Sequence, residues 1–127
     1  MRPEIVETDK APAAIGPYSQ AVKSGNTLYC SGQIPLDPAT GKMVAGDITR
    51  QAERVMNNIS ALLAASGAGF DNVIKTTIYL VDMGDFSAVN EVYGHCFKNH
   101  KPARSTVAVK SLPRGALIEI EVIACLQ

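Results

Sequence analysis

The sequence carries no net charge: twelve Lys and Arg offset twelve Asp and Glu over 127 residues. With no basic run either, it offers no electrostatic footprint for a nucleic-acid backbone or an anionic membrane. Histidine is scarce, at two residues, and the three cysteines are widely spaced with no Cys-x-x-Cys pair, so no zinc-site pattern is present. Neither His95 nor His100 has a Ser or Cys that the sequence can set beside it, which leaves a hydrolase triad unsupported. Cys30 and Cys125 fall inside strand patterns and read as small buried hydrophobes. No apolar run is long enough to cross a bilayer, and residues 1–7 lack the apolar stretch of a secretory signal. The expected setting is therefore a reducing, cytoplasmic one. Repeats, linkers and low-complexity stretches are missing too, which predicts one domain over residues 1–127.

What is there is a chain with 46% hydrophobic residues, enough for one core. Residues 18–22 and 27–31 flank Ser24-Gly25-Asn26 and read as a hairpin, with the second strand running into Gly32-Gln33. From Asp47, a plausible N-cap, Ile48, Ala52, Val55, Ile59 and Leu62 recur at helical spacing until Ser66-Gly67. Residues 73–81 are β-branched and aromatic, hence a strand. Phe86, Val89, Tyr93 and Phe97 mark a second helix opened by Asp82 or Asp85, with His95 one turn after Glu91 as its surface partner. Strands around Arg104 and Glu119 follow, separated by residues 111–115. The order β-β-α-β-α-β-β predicts an α+β domain whose mixed sheet carries both helices on one face. The other face is then free to pack against a copy of itself.

Two residues stand out chemically. Pro102 cannot donate a ladder hydrogen bond and belongs at a strand's start, which holds Arg104 on stiff backbone just inside it. A rigid guanidinium fork suits two-pronged capture of a carboxylate. A strand arginine reaching solvent beside a glutamate is the alternative that the local sequence leaves open. At the other end, Ile118, Ile120, Val122, Ala124 and Leu126 share one strand face, which must be core. Glu119 and Glu121 share the opposite face with Leu117, Ile123 and Cys125, too apolar to stand fully in water, so another element or subunit should cover it. A carboxylate there is either paired with a cation or kept to position water and move a proton. For Glu121 a solvated edge charge is as good an account.

Five segments in order, Ala13-Ala14-Ile15-Gly16-Pro17-Tyr18-Ser19-Gln20-Ala21, Ser31-Gly32-Gln33-Ile34-Pro35-Leu36-Asp37, Val89-Asn90-Glu91-Val92-Tyr93, Pro102-Ala103-Arg104-Ser105 and Ile118-Glu119-Ile120-Glu121, resemble the reactive intermediate deaminase A (RidA) family. It is also called the YjgF-type or L-PSP family. The resemblance implies a chorismate-mutase-like fold of the bacillus type and a homotrimer with three clefts between subunits. It also implies hydrolysis of reactive 2-imino or 2-enamino acids, such as 2-aminoacrylate and 2-iminobutyrate, to 2-oxo acids and ammonia. Such an imine is electrophilic once protonated, so neither metal nor cofactor is expected. By the same resemblance Arg104 binds the substrate carboxylate, Glu119 handles the water and Tyr18 closes the cleft, with Ser31, Gly32, Asn90 and Thr106 contributing to binding. Thr106 stands where many members have Cys, a swap tolerated if only its backbone N–H meets the ligand. Two other readings remain: an endoribonuclease that inhibits translation, and a non-catalytic carboxylate-binding or chaperone-like protein.

Overall fold

Gly25 turns the chain with a φ of +59°, which glycine adopts without strain. Around it β2 (Ala21–Ser24) and β3 (Thr27–Gln33) pair as an antiparallel hairpin with Ser24 opposite Thr27. The computed structural model describes residues 2–126. The hairpin's first strand starts at Ala21, three residues later than its sequence pattern predicts. Just before it, the buried Gln20 side chain is committed to the loop ahead: it accepts from Thr8 N at 2.8 Å and donates to Pro12 O at 2.8 Å. A strand the periodicity does not reveal, β1 (Glu4–Val6), adds to the edge of β2 with Val6 opposite Ala21.

Asp47 caps α1 (Ile48–Ala65), its carboxylate accepting from Arg50 N at 3.2 Å. Ala52, Val55, Ile59 and Leu62 form its buried stripe. Beyond it come β4 (Val73–Leu80), α2 (Phe86–Phe97), β5 (Ala103–Ala108) and β6 (Ile118–Cys125). Both candidate openers of α2 take part: Asp82 caps the preceding turn through Gly84 N at 2.8 Å, and Asp85 is the N-cap position. The sheet order is β1-β2-β3-β6-β4-β5, with β4 and β5 parallel across α2 and the other pairs antiparallel. This is the α+β mixed sheet that the sequence predicts, with one strand more.

Ile118, Ile120, Val122 and Ala124 of β6 are buried under the helices with Ile78 and Leu80 of β4. Each isoleucine, leucine or valine among them contributes about 1.5 to 3 kcal/mol through burial. Both helices therefore cover one face, as expected. The opposite face carries Lys75, Thr77 and Tyr79 of β4 alongside Ile123, Glu121 and Glu119 of β6. No helix among the described residues lies on it, and Tyr29 and Val107 there are 50% and 43% exposed.

Candidate active site

Strand register decides which way each candidate faces. Arg104 lies beside Thr76, which lies beside Val122, so all three share the helix-bearing face; Thr106 follows through Ile78 and Ile120. Glu119 lies beside Tyr79, which lies beside Val107, on the open face. The two residues singled out by the sequence thus stand on opposite sides of one sheet.

Arg104 is held by α2. Its Nη1 donates to Asn90 Oδ1 at 2.8 Å, while its Cζ lies 5.0 Å from the Tyr93 ring centroid and 5.1 Å from that of Phe86. Such contacts fix the guanidinium plane while leaving most of its donors unused. Tyr93 is fixed in turn, its hydroxyl 2.8 Å from the buried Thr76 Oγ1. Among the described residues no carboxylate pairs with Arg104, and the one ion pair is Arg50 with Glu53 at 4.0 Å. Arg104 therefore forms no surface pair with a glutamate, nor is the expected His95–Glu91 pair formed among the described residues. Asn90, Tyr93, Lys98, His100, Lys101 and Arg104 bound a cleft of about 510 Å³. His100 closes its floor by donating Nε2–H to Val73 O at 2.6 Å, which assigns the proton to that nitrogen because a carbonyl only accepts.

A second cleft, of about 780 Å³, opens on the other side, where Tyr18, Ser31, Gly32, Glu119, Glu121 and Arg114 contribute to its lining. Its floor owes its shape to an irregularity. Between Cys30 and Gln33 the β3 register advances three residues while β6 advances only two, from Val122 to Ile120, so Ser31 and Gly32 form a bulge. Ser31 Oγ spends its proton on Ser19 O at 2.6 Å, leaving its lone pairs to accept. The Glu119 carboxylate packs directly on Gly32, where a Cβ would come within 2.8 Å of its Cδ. Partial burial, and then the nearby Glu121, push the Glu119 carboxyl above its ordinary range. Tyr18, 55% exposed, stands at the rim on the loop after Gly16.

Four of the seven sequence-predicted residues, Tyr18, Ser31, Gly32 and Glu119, thus meet in one cleft, and Asn90 and Arg104 meet in the other. Thr106 lines neither; its Oγ1 is buried on the Arg104 face with no hydrogen-bond partner. Residues not foreseen are Phe86 and Tyr93, read only as core positions of a helix stripe, and Arg114, read only as part of a connecting loop. The seven-residue spacing of Phe86 and Tyr93, two turns on one helix face, was the signal available for the aromatic pair. Among the described residues no group of three or more His, Cys, Asp or Glu is arranged to hold a metal. No helix among them is long and apolar enough to cross a membrane.

The architecture is a bulged mixed sheet with a cationic cleft on one side and an acidic one on the other. The family model described as Endoribonuclease L-PSP matches residues 8–126, and the chain belongs to that family. The chain is 49% identical over 121 residues to the 2-iminobutanoate/2-iminopropanoate deaminase of Mus musculus, covering 95% of this chain and 90% of that protein. It is 50% identical to the chloroplastic Reactive Intermediate Deaminase A of Arabidopsis thaliana, over 99% of this chain and 67% of that one. Among solved structures, YyfA of Yersinia pestis, from the conserved Rid protein family, superposes with a TM-score of 0.96 at 49% identity, over 98% of this chain and 99% of that one.

Proposed function

We propose that this protein hydrolyses 2-imino and 2-enamino acids, 2-aminoacrylate and 2-iminobutyrate among them, to 2-oxo acids and ammonia in the cytoplasm. The sites lie between the subunits of a homotrimer. The observation that carries the reading is the separation of Arg104 and Glu119 onto opposite faces of one sheet. Each cleft holds half of what the chemistry needs. A contact that brings one copy's Arg104 cleft to the next copy's Glu119 cleft joins unlike surfaces, and such head-to-tail contacts close into rings, of which a trimer is the smallest beyond the dimer. The uncovered face, where Tyr29 and Val107 stand exposed on the same side of the sheet as Glu119, supplies surface for that contact.

In this reading Arg104 grips the substrate carboxylate, its plane set by Asn90, Phe86 and Tyr93. Glu119 takes a proton from water as the oxygen adds to the imine carbon and passes it to the nitrogen. The resulting carbinolamine then loses ammonia as its hydroxyl becomes the new carbonyl. A carboxylate with raised proton affinity suits both halves of that transfer. Ser31 accepts from the substrate nitrogen, Gly32 leaves room for the Glu119 carboxylate, Thr106 offers its backbone N–H, and Tyr18 shields the bound imine.

The test is to mix two inactive variants, Arg104→Ala and Glu119→Gln, unfold and refold them together, and time the loss of 2-iminobutyrate. Sites shared between subunits recover about a quarter of wild-type activity, because each site draws one residue from each of two randomly mixed copies. No recovery means that the site is not shared. A wild-type protein that leaves the lifetime of the imine unchanged ends the deaminase reading altogether. The family description favours a second reading, RNA cleavage; loss of cleavage on Arg104 substitution, in nuclease-free protein, would support it.

A further inference from the structure

Arg114 is one of two non-glycine residues with positive φ among those described, at φ 59° and ψ 23°. This is left-handed backbone, which strains any side chain with a Cβ and costs glycine nothing. Glycine is available one residue away, at Gly115, itself at φ +74°. Where a chain keeps a strained residue, the side chain is the place to look for the reason. The Arg114 Nη1 donates to Gly41 O at 3.0 Å, across 73 residues of sequence.

Gly41 is in the loop of residues 34–44, whose Ile34 and Leu36 form a wall of the Glu119 cleft. The base of this loop is tied to α1, where the fully buried Asn58 donates Nδ2–H to Leu36 O at 3.0 Å and to Ile34 O at 3.3 Å. Its middle is closed on itself by Gly41 N to Asp37 O at 2.7 Å and Asp37 N to Lys42 O at 2.8 Å. The bond between that loop and the turn at Pro113–Gly115, on the other side of the cleft, comes from Arg114.

We infer that Arg114 is a positioning residue that latches the 34–44 loop to the Pro113–Gly115 turn and so sets the mouth of the Glu119 cleft for substrate. The inference rests on the deaminase reading for its kinetic consequence but not for the latch itself. The left-handed conformation aims the side chain at Gly41, and the guanidinium reaches the carbonyl as a charged donor on the cleft's rim.

The test compares wild type, Arg114→Gly and Arg114→Lys. Glycine suits the backbone, so the Arg114→Gly protein should melt within about 4 °C of wild type. Its amides over residues 37–43 should exchange with deuterium roughly tenfold faster, as expected for the loss of one charge-assisted hydrogen bond. Its KM for 2-iminobutyrate should rise about tenfold with kcat within about twofold, the mark of weakened binding without damage to the chemical step. Arg114→Lys, which keeps a cationic donor, should recover most of both effects. Unchanged exchange over residues 37–43 in Arg114→Gly overturns the latch, and faster exchange with unchanged KM overturns its role at the cleft. If wild type fails to process the imine, the deaminase reading falls while the exchange measurement still decides the latch.

Discussion

Gly32 and Glu119 occupy what would be one another's space: a Cβ on Gly32 would lie 2.8 Å from Glu119 Cδ and 3.1 Å from its Cγ. The φ of Gly32 lies outside the left-handed region, so glycine serves here for room and not for a positive φ. The colliding atoms are the far end of a flexible side chain, which can swing away. Gly32→Ala should therefore cost little stability, about 1 kcal/mol or less, but should lower imine turnover about 100-fold or more by displacing the carboxylate. Melting curves beside kcat measure the two effects. An alanine variant that turns over at the wild-type rate would show that the placement of Glu119 is irrelevant to the chemistry.

How much of this was legible depended on whether the information was local. The α1 stripe from Ile48 to Leu62 and the alternation from Ile118 to Ala124 are periodic within one segment, and both elements lie where the sequence puts them. β1 escapes because three residues are too few to show a period, and its pairing depends on the distant β2. The bulge at Ser31-Gly32 is a property of two strands 90 residues apart in sequence, so no reading of β3 alone reveals it. The same reason hides the split of the site. Period two says which residues share a face within β5 or within β6. Whether Arg104 and Glu119 face the same way depends on the registers that pass through β4. The family resemblance named Arg104 and Glu119 together without saying that one chain sets them on opposite faces of its sheet.

The raised proton affinity of Glu119 has a stability consequence as well as a kinetic one. Because the folded protein holds this proton more tightly than the unfolded chain, its contribution to stability is present below the ordinary value of 4.5 and is lost as pH rises through the folded value. Glu119→Gln removes the buried charge. The variant should melt at or above wild type near pH 7, and the gap should close near pH 4, while turnover is lost. Wild-type turnover should fall on the acid side with an apparent pKa above 4.5. Glu121→Gln should move that limb to lower pH, because Glu121 is the second cause of the shift after burial. An acid limb that ignores Glu121 would mean that a different group is titrating.

Tyr93 and Thr76 make a buried hydroxyl pair at 2.8 Å beneath Arg104. Tyr93→Phe keeps the ring that Arg104 rests on but strands the Thr76 hydroxyl, which should cost about 1 to 3 kcal/mol in urea unfolding. Adding Thr76→Val removes the stranded group, so the double variant should be less destabilised than the sum of the two single changes. KM should stay within about twofold in all three, because the ring and not the hydroxyl steadies the guanidinium. Strict additivity would deny the coupling.

Arg104→Lys keeps the charge and replaces a planar two-pronged donor with one flexible ammonium. Two contacts then change together, the bond to Asn90 and the packing on the Phe86 and Tyr93 rings, and the second prong available to a substrate carboxylate is lost. None of them holds the core, since β5 is an edge strand whose residues are mostly exposed in one copy. The variant should fold and melt close to wild type. Losing one charge-assisted hydrogen bond to the substrate should remove roughly 1.5 to 3 kcal/mol, or about 10- to 150-fold, from kcat/KM for 2-iminobutyrate. An arginine that only balances charge on a wet surface would be worth about 0 to 1 kcal/mol there. A lysine variant within about threefold of wild type, under 1 kcal/mol, therefore removes the carboxylate clamp and with it the reason for bringing the two clefts together.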